Sequence, residues 1–258
     1  MKLSIHHLLL PLALALPLVV TACGDKDDTD TPPEADTDTD MDADTDADTD
    51  ADADSDADAD ADTDTTPCSR GAYSGNAEVE APTDLDALEG YTSISGNLDV
   101  DCASCTNLDA LYCLEAVSGH LYLKYNSTGL RELDGLSSLS SLGGYLDIHG
   151  CDALTDVDGL AGLSSIGGTL HVEGNGSLQD LSGLGGITSI NGALDITQND
   201  DLETLGLNAL RTVRGDFDVT FNLQLPNCQA TTLRDQLTTI SGDVCIVTNQ
   251  NDGCPSDC

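Results

Sequence analysis

Two histidines and three carboxylates recur at a fixed interval: Asp147 with His149, His171 with Glu173, then Asp195. Imidazole and carboxylate are donors that zinc and other divalent metals accept. An Asp–His–Asp row is also part of a catalytic proton relay. Either chemistry requires these side chains to meet. Asp147 to His171 and His171 to Asp195 are each 24 residues, so they meet only if the chain returns to the same place once per repeat.

That return is written in the sequence. Gly, any residue, an apolar residue, any residue, then Ile, Val or Leu occurs at Gly96-Asn97-Leu98-Asp99-Val100, and again from Gly119, Gly144, Gly168, Gly192, Gly215 and Gly242. A unit of about 24 residues cannot bury a core alone, so neighbours must stack into a solenoid. The unit from Leu154 to Asn175 reads Leu154, Val157, Gly159, Leu160, Leu163, Ile166, Gly168, Leu170, Val172, Asn175, and the next repeats it from Leu178 to Asn199. Apolar residues alternate within Leu-x-Ile, which predicts strands. Seven strands in parallel, about 4.8 Å apart, make a ladder about 30 Å long. The Leu-x-x-Leu-x-Gly-Leu stretches return the chain as short helical or extended segments. The glycine before each strand is expected to supply a close turn or a positive φ.

Alternation also sorts the outward residues. One column reads Asp99, Tyr122, Asp147, His171, Asp195, Asp218 and Cys245; the next reads Asp101, Lys124, His149, Glu173, Thr197, Thr220 and Val247. Neighbours across strands would stand about 4.8 Å apart and those along a strand about 6.6 Å. Asp99, Tyr122, Asp147, His149, His171, Glu173, Asp195 and Asp218 therefore form the candidate ligand-binding face. Asp147, His149, His171, Glu173 and Asp195 are the candidate metal ligands within it. The plainer reading is a solvated acidic face with two incidental histidines. No nucleophile elbow and no zinc-protease helix motif is present, and an open sheet face excludes water poorly. A non-catalytic chain without a resident cofactor is expected.

Five residues past the first apolar residue of each strand lies a polar register: Asn126, Cys151, Asn175, Asn199, Asn222 and Asn249, with Ala103 departing from it. This resembles the Asn-or-Cys position of leucine-rich repeats, where a buried side chain satisfies backbone groups. The whole pattern, about Leu85 to Asn249 and most closely Leu210-Arg211-Thr212-Val213-Arg214-Gly215-Asp216-Phe217-Asp218-Val219, resembles the receptor L domain. The resemblance implies a mainly β, right-handed parallel β-solenoid of about seven repeats. It carries a scaffold, not a chemistry.

Ten cysteines are present. Cys151 falls on the polar register, where a free buried thiol fits. Cys68, Cys102, Cys105, Cys113, Cys228, Cys245, Cys254 and Cys258 cluster toward the two ends of the repeat region and are expected to form four disulfides that staple those ends. Their connectivity is open. Zinc at Cys102, Cys105 and Cys113 is the rival reading.

The remaining cysteine, Cys23, follows Lys2, an apolar stretch from Leu8 to Val20, and Thr21-Ala22. That stretch has the length of a signal-peptide core, and the small residues before Cys23 resemble the bacterial lipobox. The resemblance implies that residues 1–22 are a lipoprotein signal peptide and that Cys23 becomes the lipidated N-terminus of an exported chain. Gly24 favours the outer membrane, or cell surface, of a Gram-negative bacterium.

Residues 23–67 are dominated by Asp alternating with Ala, Thr and Ser, which cannot bury apolar area and repel one another. They read as a disordered stalk reaching about 35 Å or more. An EF-hand loop needs Gly and Glu at set positions, but Asp25 to Thr66 holds no Gly and only Glu34. Residues 68–258 form the solenoid domain. A net charge of −39 argues against nucleic acid. The Asn126-Ser127-Thr128 and Asn175-Gly176-Ser177 sequons are expected to stay unmodified in a bacterial lipoprotein.

The expected function is a surface-anchored lipoprotein displaying a solenoid for ligand binding or adhesion. Its partners would be the membrane, through lipid, and a protein, glycan or cation. A structural envelope spacer, or a hydrolase or metal-binding protein using the acidic face, are the alternatives.

Overall fold

A computed structural model describes residues 68–126 and 129–258. The expected signal peptide, the expected lipidation site Cys23 and the expected acidic stalk lie outside the described residues. The described chain winds into a mainly β solenoid with two parallel eight-stranded sheets. One sheet holds the longer strands: Ala77–Val79, Leu98–Val100, Leu121–Lys124, Leu146–His149, Leu170–Glu173, Leu194–Thr197, Phe217–Thr220 and Val244–Val247. The other holds Gly71–Tyr73, Tyr91–Ile94 and six two-residue strands, such as Ser165–Ile166, Ser189–Ile190 and Thr239–Ile240. In both sheets each strand pairs with the one a coil away, so one coil contributes one strand to each. The seven strands expected from the repeat are eight in the long-strand sheet. The additional one begins from Gly75-Asn76-Ala77-Glu78-Val79, the same phrase with Ala in place of Leu.

The core between the sheets is aliphatic. Leucines, isoleucines and valines of every coil are essentially inaccessible, and Phe217 is the one aromatic ring among the buried described residues. Each fully buried aliphatic side chain contributes about 1.5–3 kcal/mol. The chain returns between sheets through 3₁₀ turns at Asp109–Leu111, Asp134–Leu136, Asp158–Leu160 and Ser182–Leu184. Their middle residues are Ala110, Gly135, Gly159 and Gly183. A Cβ on Gly159 would lie 1.9 Å from the Leu133 carbonyl oxygen of the previous coil, and one on Gly183 2.2 Å from that of Val157. Ala110 is tolerated because the coil before it carries an α-helix, Pro82–Leu88, instead of a 3₁₀ turn.

The glycines that precede the long strands are needed for the same reason. None of Gly96, Gly119, Gly144, Gly168, Gly192, Gly215 and Gly242 has a positive φ, so of the two expected roles, a close turn or a positive φ, the second does not apply there. They form a spine in which Gly119, Gly144, Gly168 and Gly192 each donate to the glycine carbonyl one coil back, at 2.7–2.9 Å. A Cβ on Gly144 would stand 2.6 Å from the Gly119 oxygen. The left-handed position lies instead just past each of the six long strands from Leu121–Lys124 onward. Gly150 and Gly174 fill it, but so do Tyr125, Gln198, Phe221 and Thr248, with φ of 51–58°. For residues with a Cβ this conformation costs about 1–2 kcal/mol.

The polar register is an interlocked amide ladder. Asn199 Oδ1 accepts from Asn175 N at 3.1 Å and from Asn175 Nδ2 at 3.0 Å, while Asn199 Nδ2 donates to Val172 O at 3.0 Å. Asn222 and Asn249 repeat the arrangement, and the ladder closes where Asn249 Nδ2 donates to Asn227 Oδ1. Asn175 is fully buried, so its sequon is closed to modification. Cys151 sits in the ladder as a free, buried thiol. Burial pushes that thiol up to about 11, so it stays protonated and donates to Leu123 O.

A thiol cannot do all that an amide does. Asn126 Nδ2, one coil back, is buried without a partner. Cys151→Asn would place an Oδ1 where Asn126 needs an acceptor and an Nδ2 where Leu123 O needs a donor. Satisfying an orphaned buried group is expected to stabilise the domain by about 1 kcal/mol, read as a higher urea midpoint. A lower midpoint would show that the site lacks room for the amide.

Both ends are closed by helices and disulfides. At the N-terminal end, Pro82–Leu88 starts on a proline and has Asp84 accepting from Glu80 N and Ala81 N. It buries Leu85 and Leu88. At the C-terminal end, the helix Asn227–Gln236 buries Ala230 and Leu233. Such helices fit only in outermost coils, where nothing must stack on the far side. All eight end cysteines pair: Cys68–Cys113 and Cys102–Cys105 at one end, Cys228–Cys254 and Cys245–Cys258 at the other. The expected four disulfides are present, and the zinc reading of Cys102, Cys105 and Cys113 gives way to them. Cys102, not Ala103, is the buried residue where the first repeat departs from the Asn register. Past the last strand the chain doubles back, and Asp257 N donates to Ile246 O at 2.9 Å as an antiparallel bridge.

Candidate functional site

The long-strand sheet holds its outward residues in register. Asp99 pairs with Tyr122, Tyr122 with Asp147, Asp147 with His171, His171 with Asp195, and Asp195 with Asp218. Beside them run Lys124, His149, Glu173 and Thr197. All eight residues of the expected face are therefore brought onto one surface, each half-buried. Glu78 heads the main file, opposite Asp99.

His171 is the centre of charge. Its Nδ1 lies 3.3 Å from Asp147 Oδ1, its Nε2 3.1 Å from Glu173 Oε2 and 3.7 Å from Asp195 Oδ2. His149 Nδ1 approaches the same Glu173 oxygen at 3.3 Å. The Asp147 contact is an ion-pair approach rather than a well-aligned hydrogen bond, since Asp147 Oδ1 is a buried oxygen with no hydrogen-bond partner. Asp147, His171 and Asp195, with Tyr145 and Thr169, line a shallow depression of about 300 Å³. A larger hollow of about 440 Å³ lies away from this file, beside the N-terminal helix and the Cys105 loop.

The five candidate metal ligands are adjacent, yet the carboxylates sit on opposite sides of the His171 ring. Among the described residues, the group whose ligand atoms lie within 4.8 Å of one another is Cys228, Asp252 and Cys254, and its two cysteines are joined to each other. The sheet face is thus an acidic strip in which two imidazoles stand within ion-pairing distance of carboxylates. The Asp147 carboxylate beside His171 raises the imidazole above its ordinary 6.5, against the opposing effect of burial. Burial raises the Asp195 carboxyl, with His171 opposing, and burial also raises Asp218, reinforced by Asp216 and Asp243.

These shifts share one sign. A histidine raised on folding stabilises the fold when protonated, fully below 6.5, and that contribution is lost as pH rises through the folded value. The raised carboxyls likewise favour folding at low pH and lose that contribution from 3.8 upward. The His171 ring is expected to titrate above 6.5 by NMR. The stability gap between wild type and His171→Gln should be larger at about pH 5.5 than at about pH 8.5. A midpoint at or below 6.5 would refute the assignment.

Next to the strip lies an aromatic group. His120 stacks on Tyr145 with centroids 3.4 Å apart, and the Tyr122 and Tyr145 hydroxyls hydrogen-bond. Burial, then that hydroxyl contact, pushes the Tyr122 phenol well above its usual range. Lys124 Nζ lies 3.7 Å from the Tyr122 ring centroid and 3.8 Å from Asp99 Oδ2.

His120 belongs to a structural series that the sequence reading did not identify. At five coils the residue after the glycine offers a side-chain acceptor to the backbone of the next coil: Asn76 to Asn97 N, Asn97 to His120 N, His120 Nδ1 to Tyr145 N, Thr169 to Ala193 N, and Asp216 to Asp243 N, at 2.8–3.2 Å. His120 Nδ1 accepts there, so the proton of its neutral ring sits on Nε2. Tyr145 and Thr169, missed as site residues, sit in this series. The signal was the recurrence of short acceptors after the glycine.

No protein-family model, curated protein or solved structure matches this chain.

Proposed function

We propose that this chain is a surface lipoprotein that recognises a ligand reversibly through the long-strand face, without catalysis. Cys23 carries the lipid, residues 23–67 hold the domain off an outer membrane, and residues 68–258 present the file from Asp99 to Asp218. The domain's likeness to receptor L domains belongs to this reading. The observation that carries it is the register itself. A rigid sheet fixes carboxylates, imidazoles and a phenol about one strand apart on a half-buried strip. Side chains held this way lose little conformational freedom when a ligand arrives. The strip's acidity suits a partner that presents cations or hydrogen-bond donors.

The competing reading is a spacer with no ligand. An outward strip of a spacer should tolerate charge reversal, because exposed ion pairs contribute little to stability. The test is retention of the purified chain on immobilised cell-envelope fractions, compared with the Asp99→Lys, Asp195→Lys, Asp218→Lys triple variant of unchanged circular dichroism. Wild type should be retained and the variant released; equal behaviour of the two leaves the spacer.

A further inference from the structure

We infer that the edge of the solenoid just past the long strands binds a neutral oligosaccharide. The residues there are Tyr125, Gly150, Gly174, Gln198, Phe221 and Thr248, one per coil and all left-handed. Their amides continue the ladder in register: Tyr125 N to His149 O at 2.9 Å, Gly174 N to Thr197 O at 3.2 Å, Phe221 N to Val247 O at 3.1 Å. Tyr125 and Phe221 are four coils apart, or about 19 Å. Between them Gly150 and Gly174 carry no side chain, and Gln198 carries an amide. The Tyr125 ring lies over Gly150, and the space that a Cβ on Gly174 would enter holds no atom within 4 Å. A hollow of about 430 Å³ opens there, lined by Gly174, Gln198, Asp200, Phe221 and Leu223.

Two independent observations point to a ligand. Among the described residues, the large apolar side chains left exposed are Tyr125 at 58%, Phe221 at 48% and Leu223 at 53%, and all three lie on this edge. Of these, Phe221 and Leu223 both line the hollow, and adjoining exposed apolar groups mark an interaction site. In addition, Tyr125 and Phe221 hold left-handed backbone that glycine adopts freely at the neighbouring coils. Strain retained beneath an exposed ring points to a use for the ring.

The lining selects the chemical class. A pyranose offers an apolar C–H face to an aromatic ring and hydroxyls around its rim. Phe221, with Leu223 beside it, supplies the platform. Gln198, held by Glu173 at 3.3 Å, and Asp200 supply hydrogen-bond partners. An acidic sugar would meet Asp200, Glu173 and a chain of net charge −39, and a second copy of this chain would bring the same charge. A neutral sugar meets neither cost.

Phe221→Gly tests the proposal without threatening the fold, because the left-handed backbone suits glycine. Maltohexaose, cellohexaose, xylohexaose and chitohexaose would each be titrated into the isotope-labelled chain. At least one should shift the Gly174, Gln198 and Phe221 amides, and Phe221→Gly should weaken it about tenfold or more. The triple Asp→Lys variant of the sheet face should bind unchanged, which separates this site from that one. Silence from all four sugars, or equal affinity in Phe221→Gly, overturns the proposal. So does a dimer that Phe221→Gly turns into a monomer, which would make the edge a self-contact.

Discussion

Gly159→Ala is expected to cost the domain about 3 kcal/mol, although it adds a single methyl group. The new Cβ would fall 1.9 Å from the Leu133 oxygen and 2.2 Å from its carbon. Both atoms are backbone, and each is part of a coil that stacks on another. Overpacking costs about 1–3 kcal/mol where side chains can yield, and here none is available to yield. In a domain of this size the loss should appear as a fall of about 6–12 °C in melting temperature. Gly174→Ala is the control. It has open space but a φ of 66°, so only the left-handed penalty of about 1–2 kcal/mol applies. If the two variants melt together, the steric account of the 3₁₀ glycines is wrong.

Asn199→Ala should be comparably damaging by a different route. Truncation removes the acceptor of Asn175 N and Nδ2, and the donor to Val172 O, Thr197 O and Asn222 Oδ1. These groups are buried in the ladder, where water cannot replace the amide. Each orphaned group costs about 1–3 kcal/mol, so a net loss of about 3 kcal/mol or more is expected from urea unfolding. Asn199→Cys should cost less, because Cys151 already shows a thiol donating to a backbone oxygen at this register. Hydrogen exchange should accelerate first at the Asn175 amide, which loses its acceptor. A uniform change, or a loss below about 1 kcal/mol, would mean that the ladder does not act as a unit.

What could be read from the sequence was whatever had a period. Alternation in Leu170-x-Val172 and its equivalents gave the strand, its core face and its outward file, which is why Asp147, His171 and Asp195 were grouped before any fold was known. Ser165–Ile166 and five of its fellows in the second sheet are two residues long, too short to show alternation. The first coil was passed over because Ala77 stands where the other repeats have a larger apolar residue. The left-handed edge was hidden because glycine marks it only at Gly150 and Gly174, whereas Tyr125, Gln198, Phe221 and Thr248 give no local sign. The number of disulfides followed from position, since Cys151 fell on the amide register. Their pairing did not, because the end helices that set those distances lie outside the repeat.

The doubled-back tail has a consequence beyond capping. A stack of parallel coils has no natural stopping point, because each end presents a row of unpaired amides and carbonyls on which another chain can grow. Here Asp257 exchanges two hydrogen bonds with Ile246 in the opposite direction, and Cys245–Cys258 fastens the segment that makes them. An antiparallel cover cannot template a further parallel coil. The terminal crosslink thus fixes the segment that covers the last strand at Ile246, so that the outermost coil ends on a strand of the opposite direction.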